Sequence, residues 1–479
     1  MSTGREKIIS GGKWVTLTML STSVIGFITT VLLPKFIKPE EFGLFALGSL
    51  VMAAGQRLVA FGQTEFIISR KGEGGEVEGT VFSTYLISNL ALLVIQVVLA
   101  GYISTYFNDP RLKNVLYLLA AGYLITPFML VPGSVLSRDL DFKKKFWPEL
   151  AGVIAYTIIA LGLVAIRPNV YTLIVASLCS NAVTMFMLIR ITKWKSVWGF
   201  KNTILKQVLV YGAPLFLTGI LSFLCGSVDR YSIGKILNSN ELGYYAVAFQ
   251  LVTMIPIKIS SILATIAFPA YSMISNNNEE MRKLYLSMLT MAAGVGTLVF
   301  TATFTLVRPL IELYYGAIWA SAIGPAKVIA LFGFGMILSA PIGGIFLAIG
   351  KTKIIFINAL IGAILNVLLI PLVAKNGILW VAITMTTISW ANIAFYLIMA
   401  AHLMKITIKQ LVLPLLICPA VAALAVLAYN ALSPFSFIRH KQGNDIVVAL
   451  VILLLTAIAL VAFNRDIRKT IKMLRTSER

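Results

Sequence analysis

The sequence predicts an all-α integral membrane protein of fourteen transmembrane helices, two pseudo-symmetric six-helix bundles plus two C-terminal helices. Three observations predict it. Of 479 residues, 58% are apolar and only 12% charged, against about a quarter charged in soluble domains. Mean hydropathy is +0.90, more apolar surface than a soluble fold of this length can bury, so the required solvent is lipid. The third is an internal echo at an offset of 200 residues. Residues 33–46 read LPKFIKPEEFGLFA and residues 233–246 read IGKILNSNELGYYA, placing Lys35, Glu41, Gly43 and Ala46 on Lys235, Glu241, Gly243 and Ala246. Internal repeats in a membrane protein point to a moving machine with a site between its halves.

Runs of about 20 apolar residues are long enough to cross the hydrocarbon core. Fourteen occur, at 14–34, 42–66, 81–106, 114–136, 148–166, 169–190, 207–228, 242–268, 284–306, 321–349, 354–374, 377–401, 411–431 and 446–463. Backbone groups in lipid must bond within their own segment or a closed barrel, so spans this long are helices. The first is no cleavable signal, because its apolar run is too long and no small-residue cleavage site follows. An even count puts both termini on one side. With a cytoplasmic N-terminus, the inner segments hold 26 of the 40 Lys and Arg residues and the outer connections 11; Arg57, Lys258 and Lys327 lie within spans. That bias is the positive-inside pattern. The expected organisation is a cytoplasmic tail (1–13), a six-helix bundle (14–191), a basic cytoplasmic linker (192–206), a second bundle (207–402), helices 13 and 14 (403–463) and a basic cytoplasmic tail (464–479). Six spans per bundle give both bundles the same orientation, with a pseudo-axis along the membrane normal.

Several classes of chemistry lack raw material. Cys179, Cys225 and Cys418 are far apart inside apolar segments, and the two histidines, His402 and His440, stand alone. No disulfide framework, metal site or cofactor site is expected. The longest connection, 191–206, leaves no room for an extramembrane catalytic domain. The net charge of +21 reads as topology plus attraction to anionic membrane lipids, about 1 kcal/mol per basic residue at the surface. Nothing forms a nucleic-acid-binding domain. In SRDLDFKKKFW, Lys143, Lys144, Lys145 and Trp147 are expected to anchor the chain at the cytoplasmic interface.

Intramembrane charge costs about 2.5–3.5 kcal/mol at a helix centre on insertion scales and marks function by default. Arg57 follows Glu41 by 16 residues and Lys258 follows Glu241 by 17, about 24 Å along each helix, in the cytoplasmic half of the membrane. Facing one another across the cleft between the halves, they would make a cationic cavity; separately, each would snorkel to the headgroups. Arg230 lines the outer mouth or serves as an interface anchor. Lys327 and Arg308 are expected to snorkel at outer span ends. The acids nearest lipid depth, Glu65, Glu149 and Asp229, lie near span ends, so the cavity prefers an anion, phosphate above all. Midspan Gln56, Asn89, Gln96, Asn181, Gln250, Asn358, Asn366 and Asn392 bind sugar hydroxyls or glue helices together. Pro127, Pro132, Pro214, Pro256, Pro341 and Pro414 are expected to interrupt their spans, as bending or static kinks.

The chain resembles the polysaccharide-transporter (oligosaccharide flippase) family of the multidrug/oligosaccharidyl-lipid/polysaccharide exporter superfamily. The resemblance rests on KPEEFGLFALGSLV (38–51), LSRDLDFKKKFW (136–147), VDRYSIGKILNSNELGYYAVAFQLVTMIPIKI (228–259), FPAYSMI (268–274) and LYYGAIW (313–319). It implies a flippase, not an enzyme, that moves an undecaprenyl-pyrophosphate-linked oligosaccharide across the bacterial plasma membrane by alternating access, for O-antigen, capsule or exopolysaccharide assembly. It also implies a cationic cavity holding the pyrophosphate, for which Arg57 and Lys258 are the candidates with Arg230 behind them, and polymerase or assembly proteins as partners. A drug or cation exporter of the same superfamily would want midspan carboxylates, which are scarce. A glycan polymerase or ligase would need catalytic acids and bases or a large outer loop.

Overall fold

The computed structural model describes residues 4–70, 74–195, 198–274 and 277–407, with a few isolated positions beyond. The expected spans at 411–431 and 446–463, and Pro414, lie outside the described residues. Among the described residues every regular element is helical, and twelve helices are long and apolar enough to cross a membrane. They correspond one for one to the first twelve spans expected from the sequence.

Two compact units divide the chain at Ala246–Val247. The first contains α1 (Gly4–Leu32), α2 (Pro39–Val59), α3 (Gln63–Ser69), α4 (Gly74–Tyr106), α5 (Leu112–Ala120), α6 (Gly122–Arg138), α7 (Phe142–Val164), α8 (Val170–Thr192), α9 (Asn202–Cys225) and α10 (Val228–Ile236), and ends in the first turns of α11 (Ser239–Met273). Its main packings are α7 on α8, α1 on α7, and α4 on α5 and α6. The second contains the rest of α11, then α12 (Asn278–Leu310), α13 (Ile323–Ala348), α14 (Thr352–Ala374) and α15 (Ile378–Met404). Here α13 is the centre, packed on both α12 and α15. Small residues line these contacts: Gly296 of α12 meets Phe334, Gly335 meets Ile393 of α15, and Gly333 and Gly344 meet Pro256 and Ala267 of α11. Lipid offers no hydrophobic drive between helices, so close approach at glycine supplies the dispersion contact.

Helix starts follow the local sequence. Pro39 opens α2 with Glu40 and Glu41 in its first turn, which suits the helix dipole. Side chains of Asp141, Asn169 and Asn277 accept backbone N–H groups at the starts of α7, α8 and α12.

The structure corrects one expectation. The span expected to be continuous over 42–66 ends at Val59, where Ala60 at ψ 88° leaves the helical conformation, and restarts at Gln63 after Gly62 at φ +64°, a left-handed conformation that glycine takes without strain. Pro127, Pro132, Pro214, Pro256 and Pro341 all sit inside helices that continue past them. Of the two roles the sequence left open, Asn89 and Gln96 take that of joining helices. Asn89 accepts from Thr126 at 3.2 Å and donates to the Tyr85 carbonyl, while Gln96 donates to the Leu116 carbonyl and accepts from Tyr123 at 3.0 Å. Both are buried and fully engaged between α4, α5 and α6, the satisfied state that buried amides require.

Candidate functional site

The sequence echo becomes a physical contact inside the first unit. α2 starts at Pro39 and α11 at Ser239, 200 residues apart. Their first turns cross so closely that a Cβ on Gly43 would overlap the Ser239 carbonyl and a Cβ on Gly243 would overlap the Pro39 carbonyl. Position 39 meets 243 while position 239 meets 43. This reciprocity is the signature of a local two-fold relation, and only residues without a Cβ permit it.

An ionic collar surrounds the crossing. The Asp109 carboxylate accepts from Ser239 Oγ at 2.7 Å and from Arg111 Nε at 3.3 Å, and Arg111 reaches Glu40 at 2.6 Å and Glu41 at 3.4 Å. The second oxygen of Glu41 accepts the Val170 N–H at 2.7 Å and so caps α8. Lys235 donates to the Tyr106 carbonyl at 2.5 Å and lies over the Tyr106 ring, whose hydroxyl pairs with that of Tyr231. The repeat residues Glu41 and Lys235 therefore tie the turns at this end of the first unit together. Asp109, Arg111 and Ser239 escaped the sequence reading, because nothing in a short loop signals which distant helix start it will meet.

Asp229 is the more deeply buried of two acids in this region, 4% exposed against 9% for Asp109. Tyr245 donates to one of its oxygens at 2.8 Å, while the other is buried without a hydrogen bond. Burial pushes the carboxyl above the usual range, and the neighbouring Arg230 guanidinium opposes that shift. A raised folded-state value means ionisation is penalised in the folded protein: no penalty applies below the unfolded value, and stability is lost as pH rises through the folded one. Asp229→Asn is therefore expected to gain thermal stability relative to the native chain at pH 8 and to lose that advantage at pH 4, as measured by unfolding midpoints at the two values.

Arg230 donates to the Gly226 carbonyl at 3.1 Å, which ties it to the turn between α9 and α10. Arg57 sits in the last turn of α2, exposed, about 27 Å from Pro39; Lys258 sits within α11, half-buried, about 28 Å from Ser239. At about 100° per residue, Arg57 points within about 40° of Gly43 around α2, and Lys258 within about 60° of Gly243 around α11. Each cation thus lies on the face that bears the crossing glycine, well along the same helix. Among the described residues neither has an ion-pair partner. At the other end of the first unit, Lys143 lies over the Trp14 ring, Lys144 pairs with Asp141 at 2.7 Å, Lys145 donates to Ser137 and Trp147 is 51% exposed beside Phe146. No group of three or more metal-ligating side chains occurs among the described residues.

Comparison with known proteins supplies the family. A family model described as "Polysaccharide biosynthesis protein" matches residues 32–324, more than half of the chain. The chain belongs to that family. Every stretch on which the resemblance rested lies inside the match. The protein is similar to the lipopolysaccharide biosynthesis protein WzxC of Escherichia coli (strain K12), 23% identical over 358 residues, 74% of this chain and 72% of that one. It is similar to the teichuronic acid biosynthesis protein TuaB of Bacillus subtilis (strain 168), 22% identical over 88% of each chain. Among solved structures it shares the fold of the lipid II flippase MurJ in an inward closed conformation, with a TM-score of 0.71 at 17% identity over 94% of this chain and 99% of that one. An inward-facing multidrug resistance MATE transporter matches at a TM-score of 0.58, 19% identity and 82% and 99% coverage.

In this polysaccharide biosynthesis protein the remaining motifs build structure. LYYGAIW forms the joint between α12 and α13: a π turn over Ile311–Tyr315, Gly316 at φ +88°, then a 3₁₀ turn with Trp319 fully buried. The tyrosine of FPAYSMI, Tyr271, lies in the core of the second unit with Tyr285 and Phe346. A multi-pass membrane protein of this family is the identity that composition, helices and relatives all give.

Proposed function

We propose that this chain is a flippase that moves undecaprenyl-pyrophosphate-linked oligosaccharide across the bacterial plasma membrane by alternating access, for surface polysaccharide assembly. The observation that carries the reading is the pair of intramembrane cations. Arg57 and Lys258 stand at matched places on two repeat-related helices, and among the described residues neither meets a carboxylate. Holding such charges in lipid without function costs several kcal/mol, and a diphosphate is the anion their chemistry fits. Arg230 adds positive charge at the outer turn.

The chain is then a transporter that breaks no bond. Its six-helix bundles are 14–191 and 207–402, the linker 192–206 and both termini are cytoplasmic, and Lys143, Lys144, Lys145 and Trp147 hold the inner face at anionic lipid. The polyprenyl tail stays in the bilayer while the diphosphate and sugars cross. Proteins that polymerise and assemble the same glycan are the expected partners. The names of WzxC and TuaB place those relatives in the synthesis of two different surface polymers, which supports the substrate class and leaves the sugar open.

Reconstitution tests the proposal. Purified protein in liposomes is given a prenyl-diphosphate-linked oligosaccharide in one leaflet, and a membrane-impermeant glycosidase reports its arrival in the other. Protein-dependent arrival is expected. Arrival at the rate of empty liposomes, from protein that is folded by thermal unfolding, would sink the reading.

A further inference from the structure

The second unit holds a groove whose lining includes neither Arg57 nor Lys258. It has a volume of about 350 Å³ and runs between α12, α13 and α15, walled by Phe300, Phe304, Leu331, Ile383 and Thr387, a size within the range of small-ligand sites. Thr387 spends its hydroxyl on the Ile383 carbonyl of its own helix at 2.9 Å, so this wall is effectively apolar. Lys327 stands at one end, its ammonium 4.9 Å from the centre of the Phe304 ring. Lys327, expected from the sequence to snorkel near its span end, lines this groove.

Polarity along the groove selects the occupant. Lys327 lies four residues into α13, and Arg308 at the end of α12 pairs at 2.8 Å with Glu312 in the π turn that follows. The pair leaves Lys327 as the net positive charge at that end, and among the described residues no carboxylate lies within ion-pairing distance of it. Phe300 and Leu331 lie one turn deeper, about 6 Å further into the membrane. All three helices belong to membrane spans, so the medium meeting their lipid-facing surface is hydrocarbon chains and headgroups. A cation at the rim with an apolar slot beneath it matches an anionic lipid with its head at the rim and a chain inward.

We propose that this groove is a binding site for an anionic phospholipid of the bilayer, with the phosphate on Lys327 and one acyl chain between Phe300, Phe304 and Leu331. It is a site for a resident lipid, separate from the cargo. Native mass spectrometry of the purified full chain, titrated with phosphatidylglycerol or with phosphatidylcholine, tests it. The native chain is expected to retain phosphatidylglycerol about five-fold better, the effect of one basic residue at a membrane surface. Lys327→Gln removes the preference, Lys327→Arg keeps it, and Leu331→Trp, which fills the slot with the charge intact, lowers retention of both lipids. Equal retention of the two lipids by the native chain, or a preference that survives Lys327→Gln, overturns the proposal. So does displacement of phosphatidylglycerol by a prenyl diphosphate in a one-for-one competition, which would make the groove part of the cargo path.

Discussion

Replacing both Arg57 and Lys258 by glutamine is expected to reduce surface polysaccharide to background in a deletion host, with protein level and thermal unfolding unchanged. Arg57 is exposed at the end of α2 and Lys258 half-buried in α11, and among the described residues neither holds a partner that would be stranded. Removing them therefore breaks no described contact, which separates a loss of transport from a loss of fold. A hydrogen bond to a charged group contributes about 1.5–3 kcal/mol. Each single variant should lose roughly ten- to hundredfold in transport rate, and the double variant more. Lys at 57 with Arg at 258 keeps both charges and should retain most activity. The readouts are cell-surface polysaccharide, immunoblot and accumulation of the lipid-linked precursor. Full export by the double glutamine variant would remove these residues from the site while leaving fold and family untouched.

The second large effect is expected at the crossing of α2 and α11. Gly43→Ala and Gly243→Ala each place a methyl group against a backbone carbonyl, Ser239 in one case and Pro39 in the other. A backbone oxygen cannot rotate away as a side chain can, so the helices must separate. Overpacking of this kind costs about 1–3 kcal/mol or more, and the collar of Asp109, Arg111 and Ser239 would be pulled apart with it. Gly101 and Gly162 are the controls: both lie in helices with open space where a Cβ would point, and alanine there should be neutral or stabilising by up to ~1 kcal/mol. Unfolding midpoints of the purified protein compare the four. If alanine at 43 and 243 behaves like alanine at 101 and 162, the close crossing is wrong.

Much of this molecule is written locally in the chain. Hydropathy gives the twelve described spans because each apolar run must satisfy its backbone within itself, with no information from elsewhere in the chain. The motifs at 38–51 and 228–274 give the family for a similar reason, since they are continuous stretches. Where a span breaks is less legible. Five prolines sit inside helices that continue past them, while expected spans break at Ala60–Gly62, at Ala121 and at Gly226. A neighbouring helix can absorb the carbonyl that a proline frees, and sequence order does not say which helix is the neighbour.

The same limit governs the side chains. The intramembrane cations, the scarcity of midspan acids and the 200-residue echo are all properties of composition and order, and they set the class of cargo to be tested. That Gly43 touches the turn of Gly243, that Glu41 caps α8, that Asn89 and Gln96 are consumed between helices, and that Lys327 overlies Phe304 depend on partners dozens to some two hundred residues away. Such pairings are chosen by helix packing, where a methyl group more or less changes which surfaces can approach. No local pattern of residues encodes that choice.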